Sequence, residues 1–219
     1  MANDLFPIFL KLEQLDLLIV GGGYVGLEKL TAVLANSPQT QVTLVAPEIR
    51  EEIRELAAAH AHVRLVQEVY APAYLENRDL VIVGTNVKAT NVQIQQDCKA
   101  RKILVNVADT PDLCDFYLSS VVKKGDLKIA ISTNGKSPTF AKRFREVLEE
   151  ILPDSLQETL DNLVQIRQKL RGDFQDKLEK LNEITKVMKW LVSGQRAIVR
   201  GQWAVVFPTL TNDQSTIDY

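Results

Sequence analysis

Between Leu15 and Val107 the chain alternates short aliphatic runs with longer stretches in which apolar residues recur at helical spacing, the pattern of parallel strands and covering helices. The runs are LDLLIV (Leu15 to Val20), QVTLVA (Gln41 to Ala46), VRLVQ (Val63 to Gln67), DLVIVG (Asp79 to Gly84) and ILVNV (Ile103 to Val107). Such near-continuous apolar strands are buried on both faces, so five of them predict a Rossmann-type parallel sheet. Helices are expected over Val25 to Leu34, Ile49 to Ala59 and Asn91 to Ala100, with Glu51, Glu52, Arg54 and Glu55 forming a solvated face on the second.

After Asp109 the period changes. FYLSSVV (Phe116 to Val122), the turn-like KKGD (Lys123 to Asp126) and LKIAIST (Leu127 to Thr133) predict a β-hairpin. Ser137 then supplies an N-cap and Pro138 the first helical position, ahead of an apolar stripe of Phe140, Phe144, Val147, Leu148 and Ile151. Pro153 and Asp154 break that helix, and two more follow, Leu156 to Leu170 and Phe174 to about Leu191, separated by Gly172 and Asp173. The fold expected is α/β, a Rossmann-type sheet over residues 1–114, a hairpin and helix over 115–150 and a helical module over 151–192. The tail, residues 193–219, is rich in β-formers and then polar, and remains unassigned.

Composition narrows the function classes. The 219 residues carry 26 basic and 28 acidic side chains, a formal charge of −2, which excludes a non-specific polyanion binder driven by net charge. No basic recognition helix or arm is present, so no nucleic-acid partner is expected. Cys98 and Cys114 form neither a CxxC pair nor a zinc-spaced cluster, which points to a reduced, cytoplasmic setting. Asp4, Lys11, Glu13 and Asp16 interrupt the first twenty residues, and no apolar run approaches the roughly 18 residues of a membrane span. Neither secretion nor membrane insertion is expected.

The strongest chemical signal is Gly21-Gly22-Gly23-Tyr24-Val25-Gly26, which follows a strand directly and opens a helix. In that context Gly-x-Gly-x-x-Gly is a dinucleotide loop. Gly21 makes the tight turn, Gly23 lets a pyrophosphate approach the first helical amides, and Gly26 allows close helix–strand packing. The acid expected about 20 residues further on to hold a ribose is less plain. Glu48 lies two residues past the second strand, where it serves either the ribose or the helix macrodipole, while Arg50 favours a 2′-phosphate. Thr85, at the end of the fourth strand, either lines the cofactor crevice or caps a helix.

Beyond the fifth strand, Asp109, Asp112 and Asp115 recur at spacing three within NVADTPDLCDF. Asp109 stands nearest the strand tip, where doubly wound sheets bind ligands, and its carboxylate can act as a base or pair with a ligand N–H group. Asp112 and Asp115 equally suit turns beside Pro111. His60 and His62 lack a third ligand and read as surface or helix-end residues, and Cys98 as a packed one, so no resident metal site is expected. Lys123, Lys124, Lys128, Lys136, Lys142, Arg143 and Arg145 concentrate positive charge around the hairpin, and Ser132 to Pro138 feeds a helix N-terminus that receives carboxylates.

Taken together, LFPIFLKLEQLDLLIVGGGYVGLEK, VTLVAPE, ILVNVADTPDLCDF and LKIAISTNGKSPTFAKRFRE resemble the precorrin-2 dehydrogenase/sirohydrochlorin ferrochelatase family, the amino-terminal module of siroheme synthases, from about Leu5 to Ile151 and more loosely to Trp190. The resemblance implies NAD-dependent oxidation of precorrin-2 to sirohydrochlorin and, in bifunctional members, insertion of Fe²⁺ as chelatase substrate. It implies Asp109 as the catalytic residue and a cofactor site at Gly22, Gly23, Tyr24, Val25, Pro47 and Glu48, to which the reading of the glycine loop and strand ends adds Gly21 and Thr85. The resemblance also implies Thr133 near the tetrapyrrole and a homodimer through the hairpin and helical segments, and Asn106, Lys136 and Ser137 are expected as further substrate contacts. Gly26 stands where alanine is common in the family, and Asn134 where a glycine is usual. Residue chemistry alone leaves a second class open, a dinucleotide-binding redox sensor without catalysis.

Overall fold

The computed structural model describes residues 5–170, 174–192, 198–199 and 202–203. The chain divides into two compact units, residues 1–118 and 119–219. In the first, β1 (Asp16–Val20), β2 (Gln41–Val45), β3 (Val63–Val66), β4 (Leu80–Val83) and β5 (Leu104–Val107) form a wholly parallel sheet in the order β3-β2-β1-β4-β5. Helices α1 (Tyr24–Asn36), α2 (Glu51–Ala58) and α3 (Lys88–Arg101) complete the crossovers.

The aliphatic runs are continuous because both faces of the sheet are covered. Leu17, Ile19, Val42 and Leu44 pack with Leu30, Val33, Leu34 and Ile53 on one side. Leu18, Val20, Val81 and Val83 pack with Ile94 and Cys98 on the other. Each such burial contributes about 1.5–3 kcal/mol relative to exposure. The chain adds β2 and β3 to one side of β1, then returns to place β4 on the other. That reversal leaves a crevice beyond the carboxyl ends of β1 and β4, where this class of sheet takes its ligands.

The second unit begins with the antiparallel pair β6 (Ser120–Lys124) and β7 (Leu127–Ile131), turned at Gly125, whose φ of +57° suits a residue without a side chain. Against β6 packs α4 (Pro138–Ile151), with Val122 and Ala141 buried. At the start of α5 (Leu156–Lys169), Gln157 accepts from the Asp126 amide at 2.7 Å and donates to its carboxylate at 2.9 Å, while Lys124 meets Asp154 at 2.7 Å. Then come α6 (Phe174–Val192) and a short antiparallel pair, β8 (Ile198–Val199) and β9 (Gln202–Trp203); the rest of the tail lies outside the described residues. Among the described residues no helix is long and apolar enough to cross a membrane.

Among the boundaries that differ from the pattern-based expectation, two have a visible cause in the hydrogen bonding. The first hairpin strand starts at Ser120 rather than Phe116, because residues 115–116 are tied to β5 instead. The Asp115 amide donates to the Val105 carbonyl at 2.8 Å, its carboxylate accepts from the Val105 amide at 3.0 Å, and Phe116 packs on the sheet core. Helix α3 starts at Lys88, a turn before Asn91, because Asn91 reaches back to the chain leaving β4.

Candidate active site at the carboxyl edge of the sheet

The glycine loop is walled by backbone from three strand ends. Gly21 has φ +129°, and a Cβ there would lie 2.5 Å from the Gly84 carbonyl oxygen at the end of β4. At Gly22 a Cβ would meet the Glu48 carbonyl oxygen at 2.1 Å, and at Gly26 the Gly21 carbonyl oxygen at 2.0 Å. The exchange of glycine for alanine at 26 is therefore not sterically silent in this backbone. Gly23 differs from all of these. A Cβ there would meet nothing within 4 Å, so the space over the start of α1 is open. The first amides of α1 have no intrahelical acceptor and carry the positive end of the helix dipole. A tight, glycine-walled loop opening at Gly23 onto those amides fits a dinucleotide pyrophosphate.

Pro47 and Glu48 are exposed at the end of β2, beside this loop. Arg50 is tied to it, its amide donating to the Gly22 carbonyl at 3.1 Å. The Arg50 guanidinium carbon lies 3.7 Å from the centroid of the exposed Tyr24 ring, and Nη2 donates to Glu52 Oε1 at 2.5 Å.

On the β4 side, Thr85 is committed to local structure. Its hydroxyl accepts from the Val87 amide at 3.2 Å and donates to Asn91 Oδ1 at 2.5 Å, while Asn91 Nδ2 donates to the Thr85 carbonyl at 3.1 Å. Thr85 thus shapes the rim of the crevice rather than offering a free hydroxyl. Gly84 and Asn91 were not singled out from sequence. The available signal was a glycine closing a buried strand, with an asparagine seven residues on.

Asp109 is exposed just past β5, with φ +56°, a left-handed backbone that Asp tolerates better than most residues. Its segment is anchored on both sides. The Ala108 amide donates to the Val83 carbonyl at 2.9 Å, and the Thr110 amide to the Val107 carbonyl at 3.3 Å. Beneath it, Cys114 Sγ accepts from the Val107 amide at 3.2 Å and donates to the Val107 carbonyl at 3.1 Å. Burial pushes that thiol up. Asn106 is buried, and its Nδ2 donates to the Phe116 carbonyl at 2.8 Å, so its amide braces the segment from inside.

In the second unit, Thr133 and Ser137 build the turn into α4. Thr133 Oγ1 accepts from the Ser137 amide at 3.1 Å, and Ser137 Oγ accepts from the Phe140 amide at 3.1 Å as the N-cap. Asn134 and Gly135 hold the left-handed positions of that turn, at φ +54° and +74°. Lys136 projects from it, exposed. Of the basic cluster, Lys124, Arg143 and Arg145 are paired with Asp154, Glu146 and Glu149.

The two histidines serve architecture, His60 Nδ1 lying 2.9 Å from the Leu56 carbonyl and His62 Nδ1 2.9 Å from Gln41 Nε2. Cys98 is fully buried, its thiol pushed up to about 12 chiefly by desolvation. Among the described residues no group of three His, Cys, Asp or Glu side chains could hold a metal ion.

A family model described as putative NAD(P)-binding matches residues 8–120, just over half of the chain, and a second, described as sirohaem biosynthesis protein central, matches residues 124–151. The chain belongs to the NAD(P)-binding family that the first of these models describes. A siroheme synthase of Psychrobacter sp. (strain PRwf-1) is 38% identical over 174 residues, covering 80% of this chain and 34% of that protein. One of Tolumonas auensis is 30% identical over 213 residues, covering 97% of this chain and 42% of that protein. The chain thus spans well under half the length of these curated relatives. A solved structure named SirC, precorrin-2 dehydrogenase, superposes with a TM-score of 0.67 at 27% identity, covering 82% of this chain and 89% of that one.

Proposed function

We propose that the chain oxidises precorrin-2 to sirohydrochlorin with NAD as acceptor. The observation that carries this reading is the pairing, on one edge of one sheet, of a glycine cradle open at Gly23 with a carboxylate at Asp109. The likeness to SirC over most of both chains supports it. The oxidation removes a hydride and a proton from the tetrapyrrole. Bound dinucleotide supplies the hydride acceptor, and Gly21 to Val25, Pro47, Glu48 and the Thr85 backbone form its cradle. Asp109 takes the proton, its backbone held at the strand tip by the Ala108 and Thr110 hydrogen bonds on either side. Asn106 acts through that segment as a positioning residue.

The substrate carries many carboxylates, for which the exposed Lys123, Lys136 and Lys142 are candidate partners. The same Asp109 carboxylate would accept pyrrole N–H protons if the chain also inserts Fe²⁺ into sirohydrochlorin, with the metal as substrate. A homodimer in the cytoplasm completes the proposal. The exposed Phe140, Phe144, Val147 and Ile151 of α4 support self-association, and the free thiols suit a reducing compartment.

The test supplies precorrin-2 and NAD and follows NADH absorbance. Turnover is expected, whereas tight NAD binding without turnover would favour the sensor reading. Asp109→Asn, which keeps a residue tolerant of the left-handed backbone, is expected to bind NAD as the parent does and to lose at least about 100-fold in kcat, within the range of lost acid–base catalysis. Parent-like rates in that variant would remove Asp109 from the reaction. Sirohydrochlorin with Fe²⁺ under anaerobic conditions, measured against the protein-free rate, tests the chelatase activity.

A further inference from the structure

The stack of Arg50 on Tyr24 sits where the chain leaves β2, the position from which sheets of this kind read the adenosine ribose. An arginine there usually suggests a 2′-phosphate. Several observations argue that this one is already taken. Its Nη2 is bound to Glu52 at 2.5 Å, with the Arg50 and Glu52 side chains 30% and 49% exposed. The hydrogen bond to Arg50 is the main cause holding the Glu52 carboxyl below the usual carboxylate range. Arg50 Nε, by contrast, makes no hydrogen bond, but it is buried and so is not presented to a ligand at the surface.

The main chain that carries this guanidinium is also fixed in place. The Arg50 amide is held by Gly22, and its carbonyl accepts from Ile53 and Arg54 at 3.1 and 3.3 Å. The neighbouring Arg54 is engaged elsewhere, with Gln67 at 2.7 Å and Glu51 at 3.9 Å. Residues 48 to 54 therefore set three carboxylates, Glu48, Glu51 and Glu52, against two guanidinium groups.

We infer that Arg50, stacked on Tyr24, and its ion-pair partner Glu52 form the specificity determinant at the adenosine end of the dinucleotide site, admitting a ribose 2′-hydroxyl and rejecting a 2′-phosphate. The inference rests on the dinucleotide-binding reading above. Arg50 serves as a flat wall for the adenosine, with its charge compensated. A 2′-phosphate would bring about −1.5 to −2 charges next to the Glu52 carboxylate and would have to displace it from the guanidinium. Glu52 is the residue that discriminates, and removing its charge releases Arg50 to bind phosphate.

The experiment is calorimetric titration of the full-length chain with NAD and with NADP, in the parent, in Glu52→Gln and in Arg50→Ala/Glu52→Gln, with circular dichroism on each. The parent is expected to bind NAD at least about tenfold tighter than NADP. Glu52→Gln is expected to shrink the ratio of the two dissociation constants at least about tenfold by tightening NADP, about 1.4 kcal/mol. The double variant is expected to lose that gain. A parent that prefers NADP, a ratio unchanged in Glu52→Gln, or a gain that survives loss of Arg50 would each overturn the inference while leaving the dinucleotide site in place. A parent that binds neither dinucleotide would overturn both.

Discussion

Two adjacent glycines should respond to the same substitution in opposite ways. At Gly22 an alanine Cβ would lie 2.1 Å from the Glu48 carbonyl oxygen, 2.9 Å from Ala46 Cβ and 3.0 Å from Ile49 Cα, against the 3.4–4 Å of ordinary contact. No flexible side-chain end can give way there, so the β2 exit must move. Overpacking of this kind costs about 1–3 kcal/mol. At about 2–4 °C per kcal/mol for a chain of this size, the melting temperature should fall by roughly 2–12 °C.

At Gly23 the backbone, φ −88° and ψ −161°, is open to any L-residue, and a Cβ meets nothing. Replacing glycine by alanine at an N-cap costs up to about 1 kcal/mol, and the stiffer unfolded chain returns about 0.4–1 kcal/mol. The melting temperature of Gly23→Ala should therefore stay within about 3 °C of the parent. Its methyl would instead fill the space through which a pyrophosphate reaches the α1 amides. Losing one hydrogen bond to a charged group is worth about 1.5–3 kcal/mol, a fall in NAD affinity of about 10- to 150-fold. Circular dichroism melts and calorimetric NAD titrations measure the two quantities separately. Parent-like NAD binding by Gly23→Ala would show that no phosphate passes over residue 23. A parent-like melt of Gly22→Ala would show that the wall yields.

Two further expectations concern the packing beneath Asp109 and under α3. Asn106→Ala removes the buried donor to the Phe116 carbonyl and should cost about 1–3 kcal/mol, seen as a lower melting temperature with unchanged NAD affinity; an unchanged melt would refute the bracing role. Cys98, with its thiol pushed up to about 12 by burial, should resist iodoacetamide in the native chain at mildly alkaline pH and react once the chain is unfolded in guanidinium. Peptide mass spectrometry reads this, and native-state labelling of Cys98 at the unfolded rate would refute it.

The parallel sheet was legible because residues buried on both faces leave unbroken aliphatic runs, and LDLLIV followed by GGGYVG fixes a strand, a tight turn and a helix in one stretch. What the sequence concealed depends on contacts distant along the chain. Gly84 becomes part of the loop only because β4 lies beside β1, a pairing that no local pattern encodes. The commitment of Thr85 to Val87 and Asn91 required the actual start of α3, three residues before the expected one. Phe116 has the composition of a strand residue, yet the hydrogen bonds of Asn106 and Asp115 draw its segment to β5. Arg50 read in isolation suggests phosphate. Its pairing with Glu52 is a side-chain choice among several nearby acids, which spacing alone does not decide.

The contact between Gly21 and Gly84 also bears on how the chain acquires its structure. The cradle draws on chain around residues 21–26, 46–50 and 84–85, so during synthesis it has no closing wall until β4 has emerged and crossed back beside β1. Earlier, a nascent chain holding only β1 to β3 presents the glycine loop with one side missing. A bound cofactor stabilises only the form that binds it, by RT ln(1 + [L]/Kd), and therefore offers the early chain nothing. Long-range parallel pairing, the slow step for such sheets, must come first. The dinucleotide thus acts as a late lock on the native state rather than a template for it, and its occupancy reports that β4 has docked beside β1.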